Sequence, residues 1–428
     1  MSAISEVHRL VGPFSGITWP PQPSSGSYRP RSLHNYLAGT APVTYSRPYP
    51  RVTGRASGSG VSYDRETAWR IAVIESLERI ATASVSTEFV QGDALSVPGA
   101  IDLEDIPRCS ETELAHPSCT LERPDNKASI RWATGIDLAD CSPARVPAVM
   151  VYLDLPAGEG ERFWRQISTG VAAGPTWEAA VTSAICEAIE RDIVAVTWLQ
   201  KLPLPRLAPA ELWDSTRDLL LWCQRKYIEV HFFDATTEIG VPTVYCVQEA
   251  PYDTVSRLVV SAATDPDPAQ AAEHALVEGL ALRPTLHQAA ADERRVVSVL
   301  KGALAIGSPR MSRAMDFLLR TPDHSRTRRM PPLAAPPSGS EDDKTRMHRL
   351  VDACTRAGHK VYAFDLATPD LRTIGLHVAR VVIPSLQPLS FSPHARYLGH
   401  PRVYELPGLL GHRSLTEGGL NSDPQPFA

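Results

Sequence analysis

The stretch Ile167–Asp192, ISTGVAAGPTWEAAVTSAICEAIERD, decides how this chain is read. It opens on a Ser/Gly-rich loop and runs into an apolar helix that the pattern places over residues 175–200. Within it Ser183, Glu187 and Glu190 stand at i, i+4 and i+7, one stripe on one helix face. Arg191 follows directly. A second stretch repeats the design: Ser57–Arg79, SGSGVSYDRETAWRIAVIESLER, is again a Gly-rich loop, a helix (over Arg65 to Ala83) and Glu-x-x-Glu-Arg. Counted back from the final Arg, Glu75 matches Glu187, Glu78 matches Glu190, Ala68 matches Ala180 and Ile71 matches Ser183. The repetition predicts two related halves facing each other.

Glu75 and Glu78 are three apart and project together. Carboxylates gathered this way repel unless cations stand among them, and Mg²⁺ on a polyphosphate supplies hard-acid charge while keeping several waters. Gly-rich loops ahead of helices offer backbone N–H groups to phosphate oxygens. Arg79 and Arg191 are placed to neutralise remaining charge. The competing interpretation of either copy alone is a solvated helix face with Glu/Arg pairs. Against it stand the apolar residues that surround both motifs (Val73, Ile74, Leu77; Val181, Ile185, Ile189) and the glycine-rich loop that precedes each.

Composition sets the frame. The chain has 428 residues, 43% of them hydrophobic and 21% charged, as globular proteins have. A formal net charge of −5 argues against nucleic-acid binding through bulk charge. Seven scattered cysteines, none in C-x-x-C, fit reduced thiols in a cytoplasm and give no zinc signature. Neither an export signal nor a run of eighteen apolar residues is visible, so a cytoplasmic protein without a membrane span is expected.

Along the chain, residues 13–62 read as an extended, loop-dominated lead-in. Strands are expected at Ala128–Asp137, Arg145–Leu153, Ile228–Thr236 and Val241–Glu249, the last two paired around Glu238–Gly240. A helix from Pro268 is expected to end near Leu282, ahead of Pro284. Residues 321–345 read as a mobile loop, followed by a helix near 345–357 and strands at Lys360–Asp365 and Gly375–Ile383. The fold class is mixed α/β (α+β): residues 1–56 form an opening segment, 57–428 the main domain, and 411–428 a polar tail.

The Ile167–Asp192 stretch closely resembles the signature of the YcaO family. That family's S-x-x-x-E-x-x-E-R is met by Ser183, Glu187, Glu190 and Arg191, and its earlier E-x-x-E by Glu75 and Glu78, with Ile71 in place of the usual Ser. The resemblance extends to SGITWP (Ser15–Pro20), AAEHALVEGLALR (Ala271–Arg283), VARVVIPSLQPLSF (Val378–Phe391) and LGHPRVYELP (Leu398–Pro407). It implies two related halves around a central ATP site. Glu75, Glu78, Glu187 and Glu190 become Mg²⁺ ligands, and Ser183, Arg191, Arg79 and Arg283 nucleotide contacts. Two departures stand out: Ala281 where a third motif's Gln is placed, and Ser59 where relatives often have Lys.

The tail carries one further implication. Azoline-forming members of the family commonly end in P-x-P-x-P, and this chain ends LNSDPQPFA, so Pro424, Pro426 and Ala428 become candidates for the catalytic end. A Pro-rich end is stiffened in advance and loses less entropy on docking; a frayed terminus is the alternative. The activity implied is ATP-dependent cyclodehydration of Cys, Ser or Thr in a ribosomal precursor peptide. The resemblance also implies a separate ThiF-like or adenylating-fold partner that binds the leader, a flavin dehydrogenase acting downstream, and a homodimer; nucleic acid and membrane are not expected partners. Thioamide or amidine formation on the same fold, and a non-catalytic scaffold, remain the alternatives.

Overall fold

In the computed structural model the described residues are 3–12, 16–24, 30–40, 57–85, 88–207, 214–292, 299–311, 313–320 and 341–427. Three antiparallel sheets organise them. The first joins β1 (Gln22–Pro23), β2 (His34–Gly39) and β3 (Ser57–Ser62), and α1 (Arg65–Ala83) follows. The lead-in 13–62, expected to be loop-dominated, thus contributes three strands. Strand β2 lacks a clean apolar alternation, its partner β3 (SGSGVS) is glycine or serine at five of six positions, and its order comes from pairing across that register.

The second sheet has six strands. Its path runs β4 (Val90–Gly92), β5 (Ile130–Asp137), β12 (Tyr362–Asp365), β13 (His377–Val382) and β7 (Val171–Gly174), with β6 (Pro143–Pro147) on the side of β5. Between β4 and β5 lies the short helix α2 (Glu111–Leu114). The strand expected over Arg145–Leu153 stops at Pro147. A buried helical turn α3 (Ala148–Val151) replaces its second half, since a run apolar on every side suits a buried turn as well as a strand.

After α4 (Trp177–Gln200) come β8 (Arg206–Leu207), α5 (Asp214–Arg225), β9 (Glu229–Asp234), β10 (Thr243–Glu249) and β11 (Leu258–Thr264). These strands form the third sheet in the order β11-β10-β9-β8, so the expected β9–β10 pairing holds. Helix α6 (Pro268–Ala291) runs past Pro284 instead of ending before it. Proline forfeits one backbone bond there, but Leu280, Leu286 and Ala289 are buried on both sides of it, and that burial outweighs the lost bond. The chain closes with α7 (Leu300–Gly307), α8 (Asp316–Leu319), α9 (Asp343–Arg356), α10 (Pro369–Thr373) and α11 (Arg402–Leu409). Of the expected loop 321–345, residues 321–340 lie outside the described residues, and 341–345 hold the cap and first turn of α9.

Each of α1, α4 and α6 follows a strand within a few residues and starts on a side-chain cap: Asp64 to Thr67 N (2.8 Å), Thr176 to Ala179 N (3.1 Å), Asp267 to Ala269 N (2.8 Å). Close approach to the sheets comes from small residues. Methyl groups at Gly58 and Gly60 of β3 would collide with the α1 backbone at Ala72 and Ala68. At Gly279 of α6 a methyl would meet the Gln248 amide on β10. Helix α4 is buried over most of its surface and touches β7, β13, β11, α9 and α11. It is the central rod of the molecule.

Candidate functional site: a ring of carboxylates on three helices

Counting from the caps shows more than the two expected copies. Eleven residues past the cap lie Glu75, Glu187 and Glu278; fourteen past it lie Glu78, Glu190 and Ala281. Four past it, all three helices have a buried alanine: Ala68, Ala180 and Ala271. Seven past it stand Ile71, Ser183 and His274, all exposed. Among the described residues, three strand–helix units therefore share this spacing.

The units close into a ring. Helix α1 touches β7, α4 touches β11, and α6 touches β3, so each helix leans on the strand of the next unit. The polar contacts follow the same order. Ala173 N on β7 donates to Glu78 of α1 (2.9 Å), and the Thr264 backbone N–H on β11 favours the charged form of Glu190 on α4. Both donors lie three residues before a helix cap. The third carboxylate of this set is missing because Ala281 has no oxygen to offer.

Glu75 and Glu187 are anchored to the segments that precede their own helices. Ser59 N and Oγ donate to Glu75 (2.7 and 3.2 Å), and Gly170 N donates to Glu187 (3.0 Å). Arg79 reaches Glu75 at 3.2 Å; Arg191 lies 3.0 Å from Glu190 and 3.7 Å from Glu187. Burial, and then the charge of Glu75, pushes the Glu78 carboxyl up to about 8. Burial raises Glu190 as well, with Glu278 and Glu187 adding to the effect against the pull of Arg191. Glu278 is raised by burial and by the charges of Glu187 and Glu75, again opposed by Arg191. Five carboxyl groups thus feel one another, with two guanidinium groups among them.

Helix α4 is fixed beneath this cluster by a buried network. Arg402 of α11 binds Asp192 through Nη2 (2.7 Å) and Nε (3.0 Å), and its Nη1 donates to Glu238 (2.6 Å). Gln387 N also donates to Asp192 (2.7 Å), and His359 reaches Glu238 (3.0 Å). These contacts lock the residue after Arg191 to the C-terminal third of the chain.

Of the residues singled out from sequence, Glu75, Glu78, Arg79, Glu187, Glu190 and Arg191 are brought together, and Ser183 lies on the outer rim. Arg283 is not. It is 1% exposed and donates to Gln248 Oε1 (3.0 Å), Ser256 O (2.8 Å) and Gln248 O (3.2 Å), with Asp253 at 3.9 Å. Five residues separate it from Glu278, which is about 140° around a helix. Glu278 faces the cluster, so Arg283 faces the β10–β11 side. The residues missed were Glu278 as a member of the cluster and His274 one turn before it. The cap-to-glutamate interval would have identified both.

The tail is docked, not frayed. Asn421 N donates to Leu199 O (2.8 Å), Trp198 Nε1 to Asp423 O (3.1 Å), and Arg396 to Asn421 O (2.6 Å). Gln425 O lies against Gly302 so closely that a methyl there would collide. Phe427, 1% exposed, meets Tyr245 edge-on with ring centres 5.3 Å apart. Pro426 is buried and Pro424 exposed, while Ala428 lies outside the described residues. The hydrogen bonds holding 421–427 run to Leu199, Trp198 and Arg396 rather than to the carboxylates.

An excess of half-buried carboxyl oxygens around Arg79 and Arg191, with loop N–H groups beside them, is a hard-oxygen donor set that fits Mg²⁺ carried on nucleotide phosphates. The class that this fold and cluster define is an α+β protein binding a magnesium-complexed nucleotide. Residues 58–387 match the family model "YcaO cyclodehydratase, ATP- and Mg²⁺-binding", and the chain belongs to the YcaO family.

Solved structures agree on the fold. A heterocyclase in complex with substrate and cofactor has a TM-score of 0.81 at 24% identity, covering 100% of this chain and 57% of that one. YcaO from Methanopyrus kandleri, bound with AMPPCP and Mg²⁺, has a TM-score of 0.61 at 18% identity, covering 86% of each chain. A chain of the E. coli microcin synthetase McbBCD complex with pro-MccB17 bound has a TM-score of 0.63 at 14% identity, covering 96% of this chain and 97% of that one. The chain spans 58% of the length of a curated relative 29% identical to it, and 57% of the heterocyclase. Among the described residues no helix is long and apolar enough to cross a membrane.

Proposed function

We propose that this chain is an ATP-dependent cyclodehydratase that converts Cys, Ser or Thr of a ribosomal precursor peptide into thiazoline or oxazoline. The observation that carries the proposal is the ring of Glu75, Glu78, Glu187, Glu190 and Glu278 with Arg79 and Arg191 inside a family described as binding ATP and Mg²⁺.

In the reaction, the substrate thiol or hydroxyl attacks the preceding carbonyl carbon, and its proton is lost to a base or water. The oxyanion formed takes the γ-phosphoryl group of ATP and releases ADP. The former amide nitrogen then gives up its proton, a C=N bond forms, the C–O bond breaks, and phosphate leaves. Mg²⁺ held by the glutamates would offset phosphate charge. The chain itself orients: Ser59 and Gly170 fix Glu75 and Glu187, Arg79 and Arg191 keep the carboxylates apart, and the Asp192–Arg402 bridge holds α4 still. Pro424, Pro426 and Ala428 are assigned to the end that orients the peptide, and Ser183 to the nucleotide.

A separate leader-binding protein of ThiF-like or adenylating fold completes the activity. A flavin dehydrogenase acting afterwards, a homodimer and a cytoplasmic setting belong to the same proposal. The test is incubation with ATP, Mg²⁺ and a Cys/Ser/Thr-rich precursor from the same gene neighbourhood, with and without the partner. Loss of one water mass per ring, dependent on the partner, is the expected outcome. Replacement of oxygen by sulfur would mark thioamide formation instead, and full activity alone would remove the need for a partner.

A further inference from the structure

The ring repeats one polar contact twice and omits it once. Strands β3, β7 and β11 each form an edge of their sheet, and each carries a residue three before the next helix cap: Val61, Ala173 and Thr264. The Ala173 N–H serves Glu78, and that of Thr264 favours the charge on Glu190. For Val61 the matching position on α6 is Ala281. Nor does β2 take up this N–H. Ser59, two residues earlier, turns its N–H out to Glu75, and strand alternation turns that of Val61 the same way. Asn35, opposite Val61, accepts from Ser24 N (2.8 Å) instead. The Val61 N–H therefore stands on the open edge of β3 with no acceptor among the described residues.

This sector of the ring is also the one without charge. Arg79 follows Glu78 and Arg191 follows Glu190, but Leu282 follows Ala281. Val61 packs against the apolar cluster that holds Ala275, Leu276 and Leu280 of α6. Beside it, the Cβ of Ile71 lies 3.0 Å from where a methyl on Gly60 would stand. Ile71 is 40% exposed, one turn from Glu75, where α4 has Ser183 and α6 has His274. Mg²⁺ and phosphates belong with the two charged sectors, because a phosphate oxygen here would sit near Glu278 where Leu282 replaces the guanidinium. What remains of a nucleotide is its base, with flat apolar faces and ring nitrogens that accept. A backbone N–H among apolar side chains matches both. A peptide carbonyl offers similar chemistry, but the base is tied to the phosphates that this ring holds.

We infer that the sector between β3 and α6 is the nucleobase subsite, with the Val61 N–H donating to a ring nitrogen of the base and Ile71 packing on its face beside Ala281. The inference rests on the nucleotide-binding reading of the ring. It adds the residues that would distinguish ATP from a bare triphosphate.

The test measures binding without turnover. AMPPCP and inorganic tripolyphosphate are titrated calorimetrically, each with Mg²⁺, into the full chain. Ile71→Ser removes the apolar face, and Ala281→Leu fills the sector without adding charge. Each is expected to weaken AMPPCP about tenfold and to leave tripolyphosphate within about twofold of wild type. Hydrogen exchange over residues 58–63 of the wild type reads the same contact without a substitution. AMPPCP should slow exchange at Val61, and tripolyphosphate should not. Equal AMPPCP affinity in all three proteins, or Val61 exchange unchanged by AMPPCP, overturns the subsite. So does equal weakening of both probes, which would give the sector to the phosphates. Failure of the ring reading is separable, because the wild type would then bind neither probe, whereas failure of the subsite alone leaves both bound.

Discussion

At the scale of single residues, Glu278 and Arg283 separate two roles that sequence alone merged. Glu278→Gln keeps shape and removes one of five charges, so ATP turnover is expected to fall about 100-fold with melting temperature unchanged or raised. Arg283→Met should do the reverse. It leaves Gln248, the Ser256 carbonyl and Asp253 without their cation, a loss of about 3 kcal/mol or more in urea unfolding, while nucleotide affinity of the folded fraction stays near wild type. If Arg283→Met raises the ATP KM without loss of stability, Arg283 belongs to the nucleotide site and not to the β10–β11 side. The four glutamates at 75, 78, 187 and 190 were legible because helical spacing alone puts them on shared faces. Arg283 misled because proximity in sequence to an acidic residue says nothing of helical phase, and Ala281 hid the third unit by deleting its second carboxylate.

At the scale of elements, α1, α4 and α6 were all foreseen as helices, and α1 with its observed limits. What sequence did not supply was the reason they approach their sheets so closely. Gly60→Ala places a methyl against the Ala68 carbonyl and must push α1 off β3, carrying Glu75 away from Ser59. A loss of about 1–3 kcal/mol in stability, together with weaker AMPPCP binding, is expected from calorimetry on that variant. Intact nucleotide affinity would show that the β3–α1 contact does not set the site. Pro284 was read as a stop because its local effect is real, yet α6 continues because burial of Leu286 and Ala289 is decided by tertiary packing. Strand β2 was missed for the related reason that its partner, rather than its own pattern, gives it order.

At the scale of the whole molecule, the ring stores unfavourable charge that ligand relieves. Glu78 titrates at about 8 in the folded chain against an ordinary value of 4.5, and Glu190 and Glu278 shift the same way. The folded state therefore binds more protons than the unfolded one between these limits, so stability declines as pH rises through that window. Melting temperature of the nucleotide-free chain is expected to fall from about pH 5 to about pH 9, and AMPPCP with Mg²⁺ to flatten that fall by displacing the protons. Equal slopes with and without ligand would contradict a cation-filled ring. The most direct measurement of the central claim is mass spectrometry of a precursor peptide incubated with leader-binding partner, ATP and Mg²⁺, with wild-type chain or Glu187→Gln. The expected result is loss of one water mass per ring with wild type and an unchanged peptide with Glu187→Gln. Water loss that persists in Glu187→Gln, or ATP hydrolysis at the wild-type rate in that variant, would contradict it.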